Sequence, residues 1–367
     1  MQGFMSSIIR VEIEWSKADE NLPKSVVLKV ASNQNMEQAA AGVDGLEELA
    51  AFQEERMAEE ADNSECAFYA YVKGKERELK VPRTYCLEGV GPGTQGLMVM
   101  EDLTGQGYVP DVWELADLPL VKDLVETFAV LHAFSLRNQS WLGDPYLGQN
   151  DPQRLKEEIA PILPHIASAV DAMKTVFPQY YSEKTADKFK EYATLEHLTE
   201  VHTVCNDLKM PPVLVHTDCR ITNMTVKKDE SGQRRLVSVF DWQGTRGGTI
   251  AESLARFLCF SADAKVRKRT GDILKWYHEA LEREMKAVNE KVPFTLEQVL
   301  EAYKRTFNSI VLKTAPAFPL FGQSDAIFGQ CADIEAAKEL LMSNGNDMVE
   351  EMLALASGIV PWDPPAS

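Results

Sequence analysis

Val213-Leu-Val-His216-Thr-Asp218-Cys-Arg-Ile-Thr-Asn223, followed by Val237-Ser-Val-Phe-Asp241-Trp242-Gln243, is the text that decides the fold of this chain. Val213–Val215 is a short apolar run that opens into a polar loop. Thr222–Lys227 and Arg235–Phe240 read as two strands, with a turn at Asp229–Gly232 between them, because Asp and Gly are the residues tight turns favour. A hairpin brings its ends together, so Asp241 returns beside Asn223. One loop and one hairpin thus gather Asp218, Asn223 and Asp241. The bland reading makes Asp218 and Asn223 turn formers and Asp241 a helix cap. Four matched positions (His216, Asp218, Asn223 and Asp241), in order and in strand context, favour chemistry instead.

Working outward, the N-terminal part is strand-rich. Ser7–Trp15 alternates Ile9, Val11, Ile13 and Trp15 on one face, as a half-buried strand does. A polar turn leads to a second strand, Ser25–Val30. Met36–Tyr71 is dense in helix formers, with a break expected at Val43–Gly45. Leu97–Met100 is a short buried strand running into Glu101-Asp102-Leu103 and a flexible Thr104–Gly107. Beyond it the periodicity is mostly helical, over Leu120–Leu136, Arg154–Val176, Ser182–Glu200, Val266–Val288, Thr295–Leu312 and Asp333–Ala356. The expected architecture is α+β and bilobal, with a strand-rich N-lobe over residues 1–103 and a larger helical C-lobe over 104–367.

With 367 residues and 45% apolar content, the chain can bury a core without staples. Its net charge of −18 argues against nucleic acid or an anionic membrane as a partner. The six cysteines form no C-x-x-C pair, so neither a zinc site nor a disulfide framework is indicated. Nothing near Met1 reads as a signal peptide and no apolar run approaches a membrane span, which makes a reducing cytoplasm the expected location. Gly89-x-Gly91-x-Gly93 lacks a surrounding βαβ unit and contains Pro92, so a dinucleotide fold is not favoured.

Phosphoryl transfer needs a carboxylate to accept the acceptor's hydroxyl proton and oxygen ligands for Mg²⁺. Asp218 meets the first need; Asn223 and Asp241 meet the second. The order H-x-D-x-x-x-x-N, hairpin, D-W is the counterpart of the protein-kinase catalytic loop and D-F-G.

From Gly3 to Leu355 the chain resembles the ecdysteroid-kinase-like (CHK kinase-like) family, most closely its nematode branch. That family shares the protein-kinase-like fold with choline kinases and aminoglycoside phosphotransferases. The resemblance is carried by Leu22-Pro-Lys-Ser-Val-Val-Leu-Lys29-Val, Asn63-Ser-Glu65-Cys-Ala-Phe-Tyr, Val99-Met-Glu-Asp-Leu103 and Gly3-Phe-Met-Ser6, besides the catalytic loop. It implies ATP as cofactor, with Lys29 on the α- and β-phosphates, Glu65 as its ion-pair partner, Gly3 and Ser6 in the loop over the phosphates, and Glu101 and Leu103 offering backbone to adenine. Asp218 would be the base, His216 would orient the catalytic loop, and Asn223 and Asp241 would hold Mg²⁺. Three features depart from the family pattern: Thr217 stands for glycine, Ser253 for an aspartate that braces the catalytic loop, and the sequence opens inside the glycine-rich loop, as expected of a truncated first lobe.

The reading reached is an ATP- and Mg²⁺-dependent transfer to a hydroxyl of a small molecule. A sterol-like or lipophilic alcohol is suggested by the family and by Trp276, Tyr277, Phe307, Phe318 and Phe321. The alternative is a catalytically silent kinase-like binding protein. Oligomeric state is not legible.

Overall fold

Four antiparallel strands in the order β1-β2-β4-β3 form the N-terminal sheet: β1 (Ser6–Glu12), β2 (Ser25–Ala31), β3 (Thr84–Gly91) and β4 (Thr94–Glu101). The computed structural model describes residues 6–17, 19, 22–31, 46–148, 152–176, 178–315, 318, 328 and 331–366. Gly3, Phe321 and the expected break at Val43–Gly45 lie outside these. Helix α1 (Leu46–Tyr71) crosses between β2 and β3 in sequence and packs on the sheet.

The sheet differs from the sequence reading in two ways. β3 was not foreseen, and it pairs with β4 as a hairpin that turns at Pro92-Gly93. Gly93 there has φ +82°, open to glycine and strained for other residues. The Gly-x-Gly-x-Gly text is therefore a hairpin corner. Gly96, at φ +80°, lets α1 approach, since an added Cβ would lie 2.8 Å from Asp62 Oδ2. Second, the β1 face is less covered than its alternation predicts, with Ile9 49% and Trp15 47% exposed. β1 is an edge strand that pairs, among the described residues, with β2 alone.

The helical part is built on α2 (Leu118–Arg137), whose N-cap Asp117 accepts from Leu120 N–H. Leu120, Val121, Leu124, Val125, Phe128 and Ala129 are all fully buried. The expected Arg154–Val176 helix divides into Pro152–Ile159 and α3 (Leu163–Val176) around a tight turn. Pro161 and Pro164 lack the amide donors a continuous helix requires. The Ser182–Glu200 helix likewise breaks, into α4 (Glu183–Tyr192) and Leu195–Thr199, where Thr194 caps a new start.

Between helices lie two small two-stranded sheets. β5 (Val213–Val215) pairs with β8 (Arg246–Gly248), and β6 (Met224–Lys228) pairs with β7 (Arg234–Val239) as the expected hairpin. Asp229 closes its turn by accepting from Ser231 and Gln233 N–H. The hairpin docks on α2 because Asp123 accepts from the Arg235 guanidinium and from Leu236 N–H. Helices α5 (Glu252–Ser261), α6 (Thr270–Lys286), α7 (Leu296–Thr314) and α8 (Ile334–Ala356) complete the core. His132 Nδ1 and Tyr277 hydroxyl, 2.7 Å apart, tie α2 to α6. Tyr277, Phe307 and Phe318 are buried at 0%, 1% and 1% exposure, so these aromatics belong to the core and not to an open pocket. The expected α+β arrangement is observed: strands first, helices after. Among the described residues no helix is long and apolar enough to cross a membrane.

Candidate active site

Lys29 stands in β2, paired with Ile8 of β1 on one side and Met98 of β4 on the other. This central position in the sheet buries it, and its ammonium donates to Glu65 Oε2 at 2.5 Å and to Asp241 Oδ1. Glu65, on α1, uses its other oxygen to accept from Trp242 N–H at 3.3 Å. One carboxylate therefore fixes both the lysine and the backbone following Asp241. The Trp242 ring stacks on Phe68, one helical turn after Glu65, with centroids 4.0 Å apart. Asp241 itself has φ +64°, a strained conformation for a non-glycine residue. It is held there by Phe240 N–H donating to Asn223 C=O and by the anchored Trp242.

The electrostatics follow from burial. Desolvation opposes charge on Lys29, but Glu65 and Asp241 together outweigh it and hold the ammonium above its ordinary range. Burial lifts Glu65, Lys29 pulls against it and Asp241 adds to the lift, and together they leave the carboxyl pushed up to about 7.

The loop after β5 holds the remaining residues. Asn223 Nδ2 donates to the Asp218 carbonyl at 2.9 Å and to its Oδ2 at 3.3 Å. His216 is fully buried, and burial lowers its affinity for a proton. Its Nε2 lies 3.1 Å from Phe240 C=O, which requires the proton on that nitrogen. The ring thus links the loop to the residue before Asp241. Ser253 Oγ accepts from His216 N–H at 2.9 Å, a brace without charge. Thr217 does not adopt a left-handed backbone, so this position needs no glycine; its hydroxyl donates to Gly244 C=O.

Sequence reasoning missed two residues here. Arg220 Nε lies 3.1 Å from Asp218 Oδ2, and Arg256 Nη2 lies 3.1 Å from Asp218 Oδ1. Burial would raise the Asp218 carboxyl, yet Arg220 and Arg256 hold it below its usual range. Arg220, two residues past Asp218, was visible within the loop text. Arg256, one turn past Ser253, had no local signal.

Of the hinge groups, Glu101 N–H donates to Arg83 C=O and Leu103 C=O accepts from Gln106 N–H. That narrows the backbone these two residues can offer to adenine to Glu101 C=O and Leu103 N–H. Ser6 is buried in β1, opposite Ala31 and two residues from the Lys29 register.

The donor set suits Mg²⁺. Asn223 turns its amide nitrogen to Asp218, which leaves Oδ1 for a cation, and Asp241 spends Oδ1 on Lys29, which leaves Oδ2. These are hard oxygen donors, too few for a cage and apt for an ion completed by phosphates and water. Among the described residues no group of three or more His, Cys, Asp or Glu could hold a metal alone.

The family model described as DUF1679, Uncharacterized oxidoreductase dhs-27, matches residues 1–356. The Caenorhabditis elegans protein of that name is 27% identical over 329 residues, covering 83% of this chain and 37% of its own length. The chain thus spans well under half of that relative. Choline kinase from Cryptosporidium parvum superposes with a TM-score of 0.51 at 10% identity, over 98% of this chain and 90% of the other. Plasmodium vivax ethanolamine kinase covers 96% of this chain and 81% of its own at 12% identity, with a TM-score of 0.46. The fold is protein-kinase-like.

Proposed function

This chain belongs to the DUF1679 family, and on that premise we propose that it is an ATP- and Mg²⁺-dependent phosphotransferase acting on a hydroxyl of a small molecule. The single observation that carries the reading is the convergence of Lys29, Glu65 and Asp241 beside the Asp218–Asn223 pair. A charged lysine tied to a helix glutamate and to a loop aspartate is the arrangement that positions a triphosphate.

Lys29 would contact the α- and β-phosphates, with Glu65 fixing it; Ser6 would lie by them, and Glu101 and Leu103 would meet adenine. Asn223 and Asp241 would hold Mg²⁺, which would supply positive charge against the phosphates. In the transfer, the acceptor oxygen bonds to the γ-phosphorus as the bond to the β,γ-bridging oxygen breaks. The hydroxyl proton passes to Asp218 and ADP leaves. His216 and Ser253 hold the loop that carries Asp218. A lipophilic alcohol draws little support from the C-terminal aromatics, since Tyr277, Phe307 and Phe318 are core.

Thermal stabilisation by ATP that requires Mg²⁺ tests the nucleotide site. ATP-dependent mass gain across a panel of hydroxylated metabolites then separates a kinase from a silent nucleotide binder. Absence of any Mg²⁺-dependent stabilisation would sink the reading.

A further inference from the structure

The Asp218 carboxylate has two unlike sides. Oδ2 meets Asn223 and Arg220, on the side of the nucleotide elements. Oδ1 meets Arg256, which comes from α5, lies over the Phe260 ring at 4.3 Å and donates to Thr314 Oγ1 at 2.9 Å. Thr314 ends α7, and the residue before it is Lys313.

Lys313 is half-buried, and among the described residues its ammonium has no hydrogen-bond acceptor and no ion-pair partner. Glu252, the nearby acid, is bound through Oε1 to Arg246 at 2.5 Å. Four cations, Arg220, Arg246, Arg256 and Lys313, thus share two carboxylates, Asp218 and Glu252. In a chain of net charge −18, a desolvated local surplus of positive charge is costly unless something answers it. Burial, with Arg246 and Arg256 adding to it and Glu252 opposing, holds the Lys313 ammonium down to about 8. An anion would reverse that shift.

We propose that the acceptor carries an anionic group, a carboxylate or a phosphate monoester, close to the hydroxyl presented to Asp218, and that Lys313 and Arg256 bind it. This rests on the phosphotransferase reading, which supplies the role of Asp218. The triphosphate has Lys29 and the metal ligands on the other side of the carboxylate. Because Arg256 touches Asp218 itself, the anion must sit near the reacting hydroxyl, as in 2- and 3-hydroxy acids. A cationic amino alcohol would face the unpaired Lys313 ammonium beside the Arg256 guanidinium and be rejected.

The test is calorimetry, with Mg²⁺ and AMP-PNP present and again without nucleotide, of four matched ligands: 3-hydroxydecanoate, decane-1,3-diol 1-phosphate, decane-1,3-diol and 1-aminodecan-3-ol. Both anions should bind roughly 10- to 100-fold tighter than the diol, the scale of one or two charge-assisted hydrogen bonds, and the amine weakest of all. The ratio between the two anions tells carboxylate from phosphate. Lys313→Gln should remove most of the preference and Lys313→Glu should reverse it. Binding of the diol or the amine as tight as either anion, no binding by either anion, or a preference that survives both substitutions would overturn the proposal. The series on the unaltered chain needs no variant, so a variant that fails to fold leaves the comparison decisive. Failure of AMP-PNP to bind, with the anion preference intact, would instead count against the phosphotransferase reading alone.

Discussion

Replacing Lys29 with Met removes the cation from between two carboxylates, one of them wholly buried. Glu65 is 0% exposed and Lys29 6%, and removing one partner of such a pair ordinarily costs about 3–5 kcal/mol. Glu65 can soften that cost by taking up a proton. In the intact chain burial already lifts it to about 7 against the pull of Lys29. Without Lys29 the opposing pull is gone, while burial and Asp241 remain, so the carboxyl moves higher still. The sign follows from linkage. A raised acid binds a proton in the folded state that the unfolded state has released, so stability falls as pH climbs towards the folded value and levels off above it. For the intact chain this decline ends near 7. For Lys29→Met it runs on, so the gap between the two proteins should widen by up to about 1.4 kcal/mol per pH unit above neutrality. Urea unfolding of both proteins between about pH 6 and pH 8.5 measures it. Parallel stability curves would show that Lys29 does not restrain Glu65, and the account of the buried pair would fail.

Asp218→Asn should keep the fold and nucleotide affinity while lowering transfer by on the order of 10²- to 10⁴-fold, read by calorimetry and coupled ADP release; full turnover would dismiss Asp218 as the base. Arg256→Met should shift the acidic limb of kcat/KM to higher pH, because Arg220 and Arg256 hold the Asp218 carboxyl below its usual range and the carboxylate form is required; an unmoved limb refutes this. Trp242→Ala should cost about 3–5 kcal/mol in urea unfolding, since the ring is 1% exposed and stacked on Phe68; a loss under about 1 kcal/mol would mean that the stack does not brace the Asp241 turn.

The catalytic text was legible because its geometry is local. A hairpin closes on itself, so the return of Asp241 to Asn223 follows from turn residues and strand pattern alone. The α1 contact with Lys29 is long-range, and only family resemblance brought Glu65 into view. β3 was hard to read because Thr84–Gly91 mixes exposed and half-buried positions and carries two glycines, which weakens any alternation. The breaks in the helical stretches were written in Pro161, Pro164 and Thr194, local signals that apolar periodicity overrode. Arg256 and Lys313 could not be read at all: each is one cation on an amphipathic helix, and only the packing of α5 against α7 brings Arg256 to Asp218 and Lys313 into the field of Arg256.

The word oxidoreductase in the name of the C. elegans relative bears on a protein of which this chain spans 37%. Within this chain, the text that a dinucleotide-dependent enzyme would need is accounted for otherwise. A dinucleotide loop joins a strand to a helix so that the pyrophosphate meets a helix N-terminus. Gly89, Gly91 and Gly93 instead run along β3 and around its corner into β4, strand to antiparallel strand. Gly89 and Gly96 face α1 side chains, where an added Cβ would lie 2.1 Å from Asn63 Oδ1 and 2.8 Å from Asp62 Oδ2. Their smallness is therefore used to seat the helix that carries Glu65, three residues after Asp62. Of the three glycines spaced like a nicotinamide motif, Gly89 seats α1 and Gly93 turns the hairpin, so the corner of the sheet and the phosphate-binding reading support each other. A bulky residue at Gly96 should on this account disturb Lys29 before anything else. The nucleotide affinity of Gly96→Val, compared with its stability to urea, would reveal it. Equal loss in both would reduce the glycine to a packing role, whereas affinity lost in a folded protein would tie the corner of the sheet to the site.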